Sequence, residues 1–265
     1  MSVLNEIMNE NGIDKLNSLT KYPSIFTYHC LGEKGSLIEN LVDDRDFSLC
    51  DKCYISEKID GTNARIIFTK DDYIIGSREE LLYAKGDRFG NPQLNIVNTV
   101  KSIAEKLSSA SEFIGIYTLY GEVYGGNVSK ASKQYTSDKM YGFRVFDFVE
   151  NSTTILSEPL EKISTWREHG GQAFLDVDAL MDISKRYDLK TVPYIVEVNG
   201  NTIPKDRLSM LAFLRNFSET KAGINHNGQS EGIVIRNHDR SLIRKIRFED
   251  YERTAKREKW DVRHC

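Results

Sequence analysis

The sequence predicts an α+β fold of mainly antiparallel sheets flanked by helices. Three observations predict it: strand-like runs recur along the chain, helix-period runs lie between them, and turn residues punctuate the strands. Cys53 to Glu57 is short and partly apolar, and Ala64-Arg65-Ile66-Ile67-Phe68 is rich in β-branched residues, so both read as strands. Gly61 between them allows a tight backbone path beside a ligand. Further strands are expected at Tyr73 to Gly76, Phe113 to Tyr124, Tyr141 to Val149, Tyr194 to Val198, Gly232 to Arg236 and Leu242 to Arg247. Leu94, Val97, Val100, Ile103, Ala104 and Leu107 share one helical face, as do Val177, Leu180, Met181 and Tyr187, and then Leu208, Leu211, Phe213 and Leu214. Such stripes are core. Asp71-Asp72 and Asn199-Gly200 mark turns, and a charged helix with Arg253, Lys256, Arg257 and Lys259 is expected to begin at Glu249-Asp250.

A chain of 265 residues can bury a full core, and 40% hydrophobic with 28% charged residues describes an ordinary globular protein. The net charge of -3 argues against a general nucleic-acid coat, yet it permits a local basic face. No apolar run is long enough to span a bilayer, and Met1-Ser2-Val3-Leu4-Asn5-Glu6 lacks a basic region leading into an apolar one, so a cytoplasmic or intracellular location is expected. Cys50-Asp51-Lys52-Cys53 has the spacing of half a zinc site, with His29-Cys30 and His264-Cys265 as conceivable partners. Without a second C-x-x-C, reduced cysteines are the expectation.

The chemistry centres on Glu57-Lys58-Ile59-Asp60-Gly61-Thr62. A lysine amine attacks phosphorus only after losing its proton, which nearby positive charge or desolvation favours. Four further segments follow in order: Gly76-Ser77-Arg78; Tyr120-Gly121-Glu122-Val123-Tyr124-Gly125; Phe143-Arg144-Val145-Phe146-Asp147; and Ser230-Glu231-Gly232-Ile233-Val234-Ile235-Arg236 with Leu242-Ile243-Arg244-Lys245-Ile246-Arg247. Together they resemble the covalent nucleotidyltransferase superfamily of ATP-dependent RNA and DNA ligases and mRNA capping enzymes, from about Tyr22 to Tyr251. The wording is closest to RNA ligases of the RNA ligase 2 type, through E-K-x-x-G-T-N ending at Thr62-Asn63 and through the entry segment Tyr22-Pro23-Ser24-Ile25. Asp60 departs from the histidine often found there, which belongs to the sealing steps.

The resemblance implies a nucleotidyltransferase (ATP-grasp-like ligase) domain and a three-step reaction. Lys58 attacks the α-phosphorus of ATP, AMP passes to an RNA 5′-phosphate, and that end is joined to a 3′-hydroxyl. Lys245 and Arg247 alternate along a strand and so bracket the α-phosphate from one face, with Lys245 helping to depress the Lys58 pKa. Glu122 and Glu231, joined by Asp60, are the implied ligands of Mg²⁺ or Mn²⁺, and the two glutamates also lie at the ribose. Phe146 is implied to stack on adenine, Glu57 to lie near the base, and Arg78 to contact ribose or nucleic-acid phosphate. Lys130 and Lys133 are further candidates for RNA backbone contacts.

Residues 1–250 are expected to form the nucleotidyltransferase domain and 251–265 a short charged tail. That is too little for an OB-fold or a separate C-terminal domain, so a protein partner supplying that function is conceivable. RNA ends, including those of a nicked duplex, are the expected substrate. The alternatives are a DNA ligase, a GTP-dependent capping guanylyltransferase, or a degenerate nucleic-acid-binding module.

Overall fold

In the computed structural model, which describes residues 2–42, 47–90 and 95–261, strands and helices follow the hydrophobic pattern closely. The chain begins with helices α1 (Val3–Asn11) and α2 (Ile13–Leu19), then strands β1 (His29–Leu31), β2 (Leu37–Leu41) and β3 (Cys53–Lys58). Strands β4 (Thr62–Thr69), β5 (Asp72–Ser77) and β6 (Leu81–Ala84) lead to helix α3 (Ile96–Ser108), strands β7 (Ile116–Gly125) and β8 (Tyr141–Asn151), and helices α4 (Leu160–Glu168) and α5 (Val177–Arg186). Strand β9 (Tyr194–Val198), helix α6 (Arg207–Arg215), strands β10 (Gly232–Asn237) and β11 (Ile243–Arg247) and helix α7 (Phe248–Glu258) complete the order. Every ladder among these strands is antiparallel, so the expected α+β class holds.

The chain divides into two compact units built from separated segments. The first comprises Met1–Ser24, Gly61–Ser132 and Lys139–Thr191; the second comprises Ile25–Asp60, Lys133–Asp138 and Val192–Cys265.

The first unit carries a five-stranded sheet in the order β6-β5-β4-β7-β8. Both faces of this sheet are covered, which is why β4 reads as a continuous apolar run. Ala64, Ile66 and Phe68 join one cluster with Val100, Ala104 and Leu107 of α3, while Ile67 joins another with Leu4, Leu16 and Ile163 from the other helices. Arg65 shares the Ile67 face and is fully buried, and burial lowers its guanidinium pKa to about 10.

Arg65 belongs to a set of side chains that cap the end of α2, where backbone carbonyls lack helical partners. Arg65 Nη1 donates to Asn17 O at 2.9 Å, Arg167 Nη1 to Ser18 O at 2.7 Å, Gln172 Nε2 to Leu19 O at 3.1 Å and Tyr120 Oη to Thr20 O at 3.0 Å. The segment that follows, with Tyr22, is thereby fixed.

The second unit carries a four-stranded sheet in the order β11-β10-β3-β9 and the small β1-β2 pair. Its core gathers Cys53, Ile55, Ile233, Ile235 and Ile246 from the sheet with Met210, Leu211 and Leu214 of α6 and Tyr251 of α7. The boundary expected after residue 250 falls inside α7, whose Tyr251 and Ala255 are buried in this core.

Two expectations change at the level of single residues. Met181 and Leu208 are 40% and 41% exposed, because the buried stripes run through Val177, Leu180 and Ser184 in α5 and through Met210, Leu211 and Leu214 in α6. Leu94 lies outside the described residues. No helix among those residues is long and apolar enough to cross a membrane.

Candidate active site

Lys58 is the last residue of β3, where strand pairing ends. Its partner on β10 is Gly232, which in turn faces Arg247 on β11; two pairs along, Ser56, Val234 and Lys245 align. Directly opposed residues share a sheet face, and side chains alternate between faces. Lys58, Lys245 and Arg247 therefore occupy one face, while Glu57, Ile233 and Ile246 lie on the other and are buried. Lys58 and Lys245 stand two strand spacings apart and two residues out of register, roughly 12 Å between Cα atoms, and both long side chains can reach one phosphate group between them.

The pairing requires glycine at position 232. A Cβ there would lie 2.1 Å from the carbonyl oxygen of Ile246 and 2.8 Å from Arg247 Cα, and φ is +154°. Backbone cannot yield as a side chain does. Gly232→Ala should push β10 from β11, cost about 2–4 kcal/mol in denaturant unfolding and sharply reduce any reaction of Lys58.

The Lys58 ammonium donates to Glu231 Oε2 at 2.6 Å, with the side chains 26% and 19% exposed. Lys58 and Glu231, predicted as separate candidates, are thus in contact. Arg247 lies on the expected face but its guanidinium is engaged: Nε and Nη2 donate to Asp250 Oδ2 and Oδ1 at 2.8 and 2.9 Å. Burial disfavours its charge, yet the hydrogen bonds and charge of Asp250 outweigh this and raise its pKa. Arg253 Nη2 also donates to Asp250 Oδ1, at 2.7 Å. Asp250→Ala leaves both arginines without this carboxylate and should cost about 2–3 kcal/mol in thermal unfolding, because the carboxylate is buried while its partners are only partly so.

Glu57 is buried and its carboxylate accepts hydrogen bonds from Thr220 Oγ1 and, at 2.7 Å, from Lys221 N. It anchors a loop, a role the sequence did not reveal. The backbone N–H of Asp60 donates to the buried Tyr135 hydroxyl at 2.8 Å.

The remaining candidates belong to the first unit. Glu122 on β7 pairs with Asn63 on β4 and, on its other side, with Arg144 on β8. Gly61 packs here: a Cβ would lie 2.3 Å from Val123 O and 2.9 Å from Glu122 Cγ. The glycine therefore serves a close approach to β7 itself, where the sequence suggested one to a ligand. Phe146 falls at an irregularity in the ladder, since Val145 and Asp147 pair with the consecutive residues Gly121 and Tyr120. It is the extra residue of a β-bulge, a device that re-aims side chains beside functional sites. Its ring meets that of Tyr22 edge-on, with centroids 5.0 Å apart, and Tyr22 donates its hydroxyl hydrogen to the buried Asp147. Arg78 is exposed, with Nη2 donating to Ser24 Oγ at 3.3 Å. Lys130 is exposed as well, as is Lys133, which belongs to the second unit.

Among the described residues, no three His, Cys, Asp or Glu side chains gather as a metal cage. A few carboxylates completed by water and phosphate oxygens suit Mg²⁺ or Mn²⁺ instead, and Glu231, Asp60 and Glu122 are hard oxygen donors of that kind. Cys30, Cys50 and Cys53 are free, and burial pushes the Cys53 thiol up to about 12, which disfavours the thiolate that zinc needs. The other proposed zinc partners, His264 and Cys265, lie outside the described residues.

Sequence comparison matches residues 51–257 to RNA ligases. No curated protein matches. Among solved structures, an apo mutant of the Naegleria gruberi RNA ligase aligns with a TM-score of 0.54 at 13% identity, covering 91% of this chain and 62% of that one. A second mutant of that ligase, with ATP and Mn, gives 0.54 at 16% identity over 89% of this chain and 62% of the other. A third, with AMP and Mn, gives 0.53 at 16% identity over 91% and 65%. The likeness is one of fold, and the chain spans less than two thirds of the length of these structures.

Proposed function

Because the chain belongs to the RNA ligase family, we propose that it is an ATP-dependent RNA ligase that works through a covalent lysyl-AMP on Lys58. The observation that carries this reading is the Lys58–Glu231 pair at 2.6 Å, on the sheet face that also presents Lys245. The Naegleria enzyme has been solved with ATP and Mn and with AMP and Mn, which supports the same choice of nucleotide and metal.

In the first step the Lys58 amine, having shed a proton, forms a bond to the α-phosphorus while the bond to the pyrophosphate oxygen breaks. Catalysis of such displacements is mainly positioning and charge neutralisation. Glu231 holds Nζ by its hydrogen bond and so sets where the amine points. Lys245 supplies positive charge toward the α-phosphate, while Arg247, through Asp250, fixes the junction of β11 and α7 and adds charge nearby. By correspondence of segments, Phe146 takes the adenine ring, Glu57 lies toward the base, Arg78 and Glu122 take the ribose, and Glu231, Asp60 and Glu122 are the metal carboxylates. A bound Mg²⁺ or Mn²⁺ would neutralise phosphate charge. AMP then passes to an RNA 5′-phosphate, and the 3′-hydroxyl displaces it. A nicked duplex, which holds both ends side by side, is the substrate form we favour.

Incubation of the whole chain with α-labelled ATP and Mn²⁺, then with nicked 5′-phosphorylated RNA, tests the reading. Label should stay on the protein through denaturing electrophoresis, pass to RNA and vanish from it on sealing. Equal labelling by GTP overturns the choice of nucleotide, and sealing of nicked DNA in preference to RNA overturns the substrate.

A further inference from the structure

Lys58 is anchored on both sides by one framework. Before it, the Glu57 carboxylate is held by Thr220 and Lys221; after it, Asp60 N donates to Tyr135 Oη at 2.8 Å. Tyr135 lies in Lys133–Asp138, a short segment of the second unit. That segment is bound to the same loop that holds Glu57. Gly228 N donates to Gln134 O at 2.8 Å, Gln229 N to Gln134 Oε1 at 2.9 Å, Ile224 N to Tyr135 O at 2.8 Å and Ser137 N to Asn225 Oδ1 at 2.9 Å.

We propose that Tyr135 is a positioning residue for Lys58: its hydroxyl fixes the backbone of the turn from Lys58 to Asp60 and so the direction from which the amine meets an α-phosphate. The inference rests on the reading of Lys58 as the nucleophile.

The physical case is one of freedom and reach. A lysine side chain has four rotatable bonds, so its amine is no better placed than its backbone, and an in-line attack fails if the atoms are misplaced by about 1 Å. The turn beyond β3 has left the sheet ladder, so another acceptor must fix the Asp60 N–H. The ring of Tyr135 is fully buried, which leaves its hydroxyl no room to wander. A ring serving only to fill the core would not need its oxygen, so Tyr135→Phe separates the two roles.

The test uses the full chain, Tyr135→Phe, and Tyr251→Phe as control, since Tyr251 is buried in the same unit and its hydroxyl bonds to His29 Nδ1 at 2.6 Å, among residues given no role at Lys58. Three quantities are read: the lysyl-AMP formation rate at saturating ATP, the ATP concentration for half-maximal rate, and hydrogen exchange of the Asp60 amide. Tyr135→Phe should slow the saturating rate by about tenfold or more, leave half-saturation within about twofold and speed Asp60 exchange, whereas Tyr251→Phe should leave the Asp60 amide and the rate nearly unchanged. A rate for Tyr135→Phe within about twofold of the parent, a change in half-saturation alone, or equal slowing by Tyr251→Phe overturns the positioning role. If the parent takes no label, the proposed function fails and the role fails with it; a labelled parent with an unaffected variant removes the role alone.

Discussion

Lys58→Ala should abolish covalent labelling by α-labelled ATP, with a loss of about 10³-fold or more, because no other group is proposed to form the bond to phosphorus. Lys58→Arg should fail as completely. Its guanidinium retains charge and hydrogen bonding to Glu231, but it stays protonated and is a poor nucleophile. The arginine variant therefore separates nucleophile from counter-ion. Full labelling of either variant would show that Lys58 does not carry the adenylate, and the mark on the chain would have to be mapped elsewhere. Circular dichroism should be unchanged, since Lys58 lies at a strand end with its side chain partly exposed.

Glu231→Ala should slow lysyl-AMP formation by about 100-fold or more, which corresponds to roughly 2.7 kcal/mol of lost transition-state stabilisation. The sign is informative. If the ion pair merely occupied Lys58, removing the carboxylate would free the amine and labelling would accelerate. If Glu231 orients the amine and serves the metal, labelling slows and resists rescue by added Mn²⁺. Glu161→Ala, an exposed carboxylate on α4, should leave the rate within about twofold. Acceleration by Glu231→Ala would remove this residue from the catalytic set.

Much of the second unit was legible because its strands are short, apolar and tied to a motif. β9 begins and ends where the pattern placed it, at Tyr194 and Val198, and the alternation of Arg244, Lys245, Ile246 and Arg247 placed the two expected cations on one face. Helices α1 and α2 were not foreseen, although Ser2 accepts from Asn5 N as an N-cap and Leu4, Ile7, Leu16 and Leu19 form the buried side. Both are short, so few turns display the period. The anchors at Glu57 and Asp60 were illegible for another reason. Thr220 and Tyr135 lie 163 and 75 residues away in irregular segments, where no periodicity reports what a side chain touches. The engagement of Arg247 by Asp250 was closer in sequence, yet a basic residue on a strand face reads alike whether it meets a phosphate or a helix start.

The capped end of α2 bears on how the first unit comes to be made. Its four carbonyls depend on side chains 48, 100, 149 and 153 residues further along the chain. At ribosomal speeds of about 5–20 residues per second, Gln172 is synthesised roughly 8–30 seconds after Leu19. For that interval the apolar side of α1 and α2 has no finished surface to join, and these short helices are marginal alone. Non-local docking of this kind slows folding. Stalled nascent chains ending before Gln172 should remain open to protease between Val3 and Leu19, and chains carried past it should become resistant. The residues of this unit that are made first are then among the last of it to find their places.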